Sequence, residues 1–328
     1  MNSKYFKFLN ENLSRPLERR TIIEKENLGC EALYDIEGNF LISSTENVQI
    51  TDGNYLSEIL VGKMELVVCG GGHVGQAVYS LALFLGMNVT IIEDREEYCN
   101  KELYPTANLK IGKYDEVLSS MDLAHSAIVV ATRGHKFDRT CVATALPKPY
   151  KYLGMIGSKG KVAKTMELLK NDINNKIIDS TVEKLNKIYS PIGLDINAQT
   201  PEEIAVSILA EVLRVTKANK REIQMKLSDL EKVANLEEPF VVARIIDKKG
   251  SAPREVGSYL AISKKENLIG TVGGGAVEAV VIINCNKMLM NDTKTSALFE
   301  HDLSNENASN LGMICGGTVK IILNKFIS

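Results

Sequence analysis

Residues 64–94, MELVVCGGGHVGQAVYSLALFLGMNVTIIED, decide the fold. MELVVCG is a short, mostly apolar run, HVGQAVYSLALFLG carries a helical pattern, and NVTIIED is a second short β-branched run, so the stretch reads as strand, helix, strand. Gly70, Gly72 and Gly75 set G-x-G-x-x-G between the first strand and the helix, the context that gives this otherwise weak pattern meaning. Without side chains the backbone can approach a phosphate, whose charge meets the free N–H groups and positive end of the helix. The second strand ends in Glu93 and Asp94, 18 residues beyond Gly75, about where a carboxylate meets a ribose 2′-hydroxyl. Glu93 is the expected acceptor. Its charge favours a ligand lacking a 2′-phosphate, while Arg95 pulls the other way. A tight turn that binds nothing would use the same glycines. Leu66 to Ile92 holds no Asp, Glu, Lys or Arg, and a membrane span needs only about 20 apolar residues; the glycines, Gln76, Asn88 and Thr90 instead break it at turn positions.

Outward from this unit the alternation continues. SAIVVAT (126–132) and YKYLGMIG (150–157) read as further buried strands separated by helices, which implies a parallel sheet with helices on both faces. TPEEIAVSILAEVLRV begins a helix with Thr200 as N-cap, Pro201 at the first turn and Glu203 closing a capping box, and Ile204, Ile208, Val212 and Val215 share a face. Residues 217–238 are rich in Lys, Glu and Asn and read as a solvated helical connector. FVVARII, SYLAIS, NLIGTV and TVKIILNKF then read as strands, with one helix, AVEAVVIINCNKMLM, among them. The expected architecture is α/β: a Rossmann-like parallel sheet domain over 64–220, a connector over 221–237 and a smaller α+β domain over 238–328. Residues 1–63 form an N-terminal extension of undetermined packing, with a hairpin at CEALYDIEGNFLISS turning at Glu37, Gly38 and Asn39.

At 328 residues and 36.1 kDa the chain is long enough for two cores. Its 39 Lys and Arg against 41 Asp and Glu leave a net charge of −2, too little positive charge to expect nucleic acid or an anionic membrane as partner. The six cysteines are scattered without zinc-ligand spacing, so no metal site is expected. MNSKYFKFLNENLSR lacks a secretory pattern, which makes the reduced cytoplasm the expected compartment.

Candidate chemistry falls in several places. Thr132, Arg133 and His135 follow the strand SAIVVAT, at the carboxyl end where open parallel sheets bind ligands; His135 suits a proton carrier, or is a surface residue. Gly157, Ser158 and Lys159 open a helix, with Ser158 as a cap and Lys159 adding charge, a second anion site or a plain cap. Three glycine clusters mark the C-terminal part: GSAPREVGS with Ser251 and Arg254, GTVGGGAVE with Gly273, Gly274, Gly275 and Glu278, and LGMICGG with Cys315 and Gly316. The triple glycine exposes backbone donors to an anion. Cys315 is a reactive thiolate if Arg254 or a helix end lowers its pKa, and otherwise a small buried hydrophobe.

LVVCGGGHVGQ, IIEDRE, ATRGHKFD, YLGMIGSKGK and PIGLDINAQTPEEIAVSILAEV together resemble the Rossmann domain of the XdhC/CoxI family, and GSAPREVGS, GTVGGGAVE and GMICGG are similar to its smaller domain. The resemblance implies a maturation factor for molybdenum hydroxylases such as xanthine dehydrogenase. Such a factor is a chaperone rather than an enzyme: it binds the molybdenum cofactor (molybdopterin), protects it while its sulfido ligand is installed, and delivers it to the apoenzyme. It carries His73 into the cofactor-binding set beside the glycines. A cysteine desulfurase and a second copy of the chain join the hydroxylase apoenzyme among the partners to consider. The chain departs from the family in placing the Rossmann part before the small domain, in Glu93 where Asp is usual, and in Asn197 where Gly is common. A cofactor lying in a cleft between the domains, its metal end near Cys315, is the corresponding expectation. An NAD-dependent oxidoreductase with His135 as acid or base, and a nucleotide-sensing regulatory module, remain the alternatives.

Overall fold

The computed structural model describes residues 1–328 apart from 14, 25, 47, 218–221, 251–253, 266–267, 292, 303–316 and 328. The chain divides into two compact units, Met1–Gly62 with Arg221–Ser328, and Lys63–Lys220. The N-terminal segment supplies α1 (Lys4–Asn12), β1 (Leu17–Ile22), β2 (Glu31–Tyr34), β3 (Phe40–Ser43) and β4 (Tyr55–Val61). β2 and β3 form the hairpin, and its turn is organised by Asp35, whose Oδ1 accepts the N–H groups of Glu37 at 3.1 Å and Asn39 at 2.8 Å. Such an Asx turn lets the side chain substitute for a backbone acceptor.

The Lys63–Lys220 unit contains β5 (Glu65–Cys69), α2 (His73–Phe84), β6 (Asn88–Glu93), β7 (Asn108–Ile111), α3 (Tyr114–Ser120), β8 (Ser126–Val130), α4 (His135–Ala145), β9 (Tyr152–Met155), α5 (Lys159–Asn174), α6 (Val182–Leu185) and α7 (Pro201–Thr216). The strands lie in the order β7-β6-β5-β8-β9, all parallel. Along β5, Leu66 and Val68 enter one core with α2 and α7, while Val67 and Cys69 enter the other with α4 and α5. Burial on both faces is why the strand reads as an unbroken apolar run. The capping box at Thr200 and Glu203 forms, with Ile208 and Val212 buried beneath it. The sequence reading missed β7 because a short edge strand that leaves Asn108, Lys110 and Ile111 exposed carries no apolar run. The uncharged stretch Leu66–Ile92 is β5, α2 and most of β6, and among the described residues no helix is long and apolar enough to cross a membrane.

The chain then returns to the first unit with β10 (Glu222–Gln224), α8 (Leu227–Ala234), β11 (Phe240–Lys249), β12 (Tyr259–Ser263), β13 (Leu268–Gly270), α9 (Gly275–Leu289), β14 (Ser296–Asp302) and β15 (Thr318–Phe326). Two five-stranded sheets result, β10-β4-β1-β2-β3 and β13-β12-β11-β15-β14. Leu17, Leu33 and Leu60 of the first share a core with Phe240, Val242 and Phe326 of the second, closed by Tyr5, Phe6 and Leu9 of α1. On the other face of the second sheet Val277, Val281 and Cys285 of α9 pack over Val241, Ala243 and Ile245. The N-terminal extension thus belongs to the same unit as the C-terminal residues. The segment 221–237 is not a solvated connector: β10 pairs with β4, and Leu230, Val233 and Ala234 of α8 are buried. Its charges occupy one face of a short amphipathic helix whose apolar face packs beside α1.

Inside this unit lies an ionic network. Arg244 on β11 donates to Glu58 on β4, to Glu31 on β2 at 3.0 Å and to Thr21 on β1 at 2.8 Å. Arg19 adds a 3.0 Å bond to Glu58, and Asn324 of β15 donates to Glu31 at 3.2 Å. All six side chains are buried.

Candidate functional site

In the parallel sheet the chain leaves β5 toward β6 and β7, then returns to β8 and β9 on the opposite side. The crevice beyond the carboxyl ends of β5 and β8 is therefore the topological switch point, where ligands bind in open α/β sheets. Two loops meet there. Gly70, with φ +120°, passes so close to the end of β8 that a Cβ would lie 2.1 Å from the carbonyl oxygen of Ala131, and a Cβ on Gly75 would lie 2.1 Å from that of Gly70. Those two glycines serve close packing of strand, loop and helix. Gly72, the N-cap of α2, has open space within 4 Å of where a Cβ would stand, and His73 beside it is exposed. That end of α2 is the open part of the turn.

Glu93, the expected ribose acceptor, is engaged within the chain. Its Oε2 accepts the N–H of Gly71 at 2.9 Å, and Arg95 adds Nε to Oε1 at 2.9 Å and Nη2 to Oε2 at 3.3 Å. Arg133 donates Nη1 to Oε1 at 3.2 Å. With four donors on two oxygens and a side chain only 1 % exposed, this carboxylate has no room for a hydroxyl from outside. The turn is fastened from two more directions: the Tyr104 hydroxyl donates to the Gly71 carbonyl at 2.9 Å, and a Cβ at Gly71 would meet the Tyr98 carbonyl oxygen at 2.0 Å.

Arg133 also grips Asp94 through both terminal nitrogens, and this guanidinium holds the Asp94 carboxyl down to about 2. The two guanidiniums lie over aromatic rings, Arg95 at 4.0 Å from the Tyr98 centroid and Arg133 at 4.3 Å from that of Phe137, an arrangement that fixes their planes. Arg133 keeps 35 % of its side chain in solvent and Arg95 keeps 28 %. The mouth of the crevice is thus two positioned, half-open arginines whose charge is balanced by Glu93 and Asp94.

Thr132 and His135 converge on a residue that the sequence reading missed. Asp138 is buried and its Oδ1 accepts the Thr132 hydroxyl at 2.6 Å and the Thr132 N–H at 3.2 Å. Its Oδ2 stands 3.9 Å from Nδ1 of the half-exposed His135. Burial raises the Asp138 carboxyl above its ordinary value, against the Thr132 hydrogen bonds. The available signal was a Thr six residues before an Asp near a helix start, in TRGHKFD. At the next turn Ser158 stands at the N-cap of α5, but its side chain accepts no capping bond, so that expectation is corrected; Ser158 and Lys159 are exposed and Gly157 is half-buried.

In the other unit the triple glycine carries three positive φ values, +126°, +72° and +60° at Gly273, Gly274 and Gly275, a run that only glycine follows without strain. Its donors already hold an anion. Glu278 Oε2 accepts the Thr271 hydroxyl at 2.5 Å and the N–H groups of Val272 and Gly274, each at 3.2 Å. Arg254 is exposed. Ser251, Cys315 and Gly316 lie outside the described residues, so no geometry relates Arg254 to the thiol. The described cysteines Cys30, Cys69, Cys99, Cys141 and Cys285 are all buried and unbridged.

Comparison with known proteins agrees with this division. Residues 66–212 match the XdhC Rossmann domain, and residues 234–301 match the XdhC and CoxI family. A Bacillus subtilis strain 168 protein, named as a probable subunit of xanthine dehydrogenase, is 32 % identical over 157 residues, 47 % of this chain and 44 % of that protein. The uncharacterized protein YqeB of Escherichia coli strain K12 is 29 % identical over 165 residues, 50 % of this chain and 29 % of its own. The chain thus spans less than half the length of either relative. A crystal structure described as a xanthine dehydrogenase from Bacillus halodurans superposes with a TM-score of 0.52 at 19 % identity, covering 66 % of this chain and 65 % of that one, a likeness of fold.

Proposed function

The chain belongs to the XdhC and CoxI family, and from that membership we propose that it is a maturation factor for a xanthine dehydrogenase-type molybdenum hydroxylase. In this reading it takes up the molybdenum cofactor as cargo, shields it during sulfuration and passes it to the apoenzyme. The observation that carries this reading over hydride transfer is Glu93. A nicotinamide dinucleotide needs a carboxylate free to receive its ribose hydroxyl, and this one is buried with four internal donors. What the crevice offers instead is the open N-terminal end of α2 and two fixed guanidiniums, groups that suit a phosphate-bearing cargo. Arg95 and Arg133 would orient the anionic end, and Tyr98 and Phe137 would keep their planes in place.

The partner is the hydroxylase apoenzyme; a cysteine desulfurase supplies sulfur in the same scheme, and the cytoplasm is the proposed compartment. The test mixes the full chain with cofactor released from a molybdenum hydroxylase, separates free from bound, and measures retained molybdenum and reactivation of apoenzyme. The native chain is expected to retain metal and raise reactivation, with Arg95→Met/Arg133→Met retaining less and Cys315→Ala reporting whether that thiol takes part. Negligible retention by the native chain, with no effect on reactivation, would overturn the proposal.

A further inference from the structure

In each glycine turn a carboxylate of the chain itself takes part of the donor set, Glu93 at the Gly71 N–H and Glu278 at the Gly274 N–H. A second concentration of positive charge in the parallel-sheet unit lies elsewhere. A groove of about 820 Å³ runs between α4 and α5, lined by one face of each helix over residues 135–144 and 160–168. Its volume falls within the range of pockets that enclose small ligands, about 300–1,000 Å³.

The groove is graded along its length. α4 follows β8 and α5 follows β9, two adjacent parallel strands, so both helices start at the carboxyl end of the sheet. Lys136 and Lys161, from the first turns, and Lys164, from the second turn of α5, line the groove with Arg139. Among the described residues none of the three lysines closes an ion pair. Arg139 is anchored by Asp172, with bonds of 2.9 and 2.6 Å, and the one acidic residue on the lining is Asp115. Two helix N-termini add their partial positive charge at the same end. Farther along, Ala143 and Leu168 give the lining an apolar part. Cations at one end and apolar contact beyond match a small molecule with an anionic head on a flat body, and fit an acidic protein segment poorly, since that would present charge along the whole groove.

We propose that the α4–α5 groove binds a phosphomonoester of a planar heterocycle, its phosphate among Lys136, Lys161 and Lys164 and its ring against Ala143 and Leu168. Two sources share this chemistry: a purine mononucleotide, and the phosphate-bearing pterin of the cofactor. For the second source the inference rests on the function proposed above and makes the groove an alternative seat for that phosphate to the α2 start with Arg95 and Arg133.

The experiment is equilibrium dialysis of the full chain against labelled AMP, with inorganic phosphate as competitor, for the native protein, Lys161→Gln/Lys164→Gln, and the control Lys170→Gln, an exposed position on α5 outside the groove. Thermal melting checks that each variant is folded. Retained molybdenum is measured on the same three proteins with and without saturating AMP. Saturable, phosphate-competed AMP binding is expected, weakened about tenfold or more in the double variant and unchanged in the control. AMP that also displaces the cofactor makes the groove the cofactor's phosphate seat; AMP that binds without displacing it makes the groove a separate nucleotide site. The proposal fails if the double variant leaves both AMP binding and cofactor retention as they are in the native chain, whether present or nil. Cofactor retention that is nil in every protein while AMP still binds counts against the maturation role and leaves the groove standing.

Discussion

Each unit holds a cluster of two arginines and two carboxylates, and the two clusters differ in access to water. Arg19, Arg244, Glu31 and Glu58 are sealed between the sheets of the first unit, with side chains at most 5 % exposed. Glu93, Asp94, Arg95 and Arg133 sit at the crevice of the second, with Glu93 sealed but the arginines 28 % and 35 % exposed. In the sealed cluster no charge can leave without stranding another in a low dielectric, so it fixes how the two sheets meet. In the open one water reaches both guanidiniums and can stand in for a lost partner. Arginine paired with carboxylate thus joins two sheets in one place and leaves its guanidiniums within reach of solvent in the other.

The largest expected effect tests that contrast directly. Arg244→Met leaves Glu31 and Glu58 buried beside a single remaining arginine and should cost about 3–5 kcal/mol. Arg133→Met removes a partner that is one-third exposed and should cost about 1 kcal/mol or less. Because the two units need not unfold together, hydrogen exchange resolved by segment is the suitable readout: protection should fall in β1, β4 and β11 for the first variant, and little anywhere for the second. Equal losses would erase the distinction between the clusters. A second pair separates the fastened and open parts of the glycine turn. Gly71→Ala drives a methyl into the Tyr98 carbonyl and should cost about 1–3 kcal/mol, whereas Gly72→Ala, with open space around it, should leave thermal stability nearly unchanged. If both are silent, loop 95–98 is not held against the turn.

Much of the second unit was legible because its strands are buried on both faces, so apolar runs such as LVVC and SAIVV announce themselves and the glycines fall between strand and helix. The first unit was harder to read for a physical reason. Its two sheets meet through residues more than 180 positions apart, as Arg244 with Glu58, and inward charges interrupt the alternation that would mark strands such as LERRTI, where Leu17, Arg19 and Thr21 all point inward. The glycine turns were legible as positions but not as states. Nothing in GGGHVG says that Glu93 fills one, because the strand-end carboxylate that would receive a ribose is equally placed to accept the Gly71 N–H. Glu278 was visible one turn inside its helix, but its role as the occupant of the triple-glycine turn depends on backbone angles that spacing does not specify. Asp138 was hidden for a simpler reason: a carboxylate in the first turn of a helix usually faces water and complements the helix dipole, whereas here Thr132 draws it inward.

The smallest effect is a matter of pH and separates the clusters once more. Asp94 has its carboxyl held down to about 2, chiefly by Arg133, below the ordinary value of about 3.9. A carboxyl depressed in the folded state contributes stability that is complete above its unfolded value and disappears as the pH falls through its folded one. The window is therefore roughly pH 4 down to pH 2. Asp94→Asn keeps the shape but has no proton to gain, so its stability should fall less steeply than that of the native chain across that interval, and the two curves should run parallel above it. The difference should be small, because water reaches both Asp94 and Arg133 and screens their attraction. Glu58 offers the contrast: burial works to raise its carboxyl, and Arg19 and Arg244 more than reverse that, so its contribution is also lost in acid but without solvent to soften the loss. Acid titrations followed by near-ultraviolet circular dichroism on native, Asp94→Asn and Glu58→Gln chains measure both. A Glu58→Gln acid limb no different from that of Asp94→Asn would mean that the sealed cluster admits water after all.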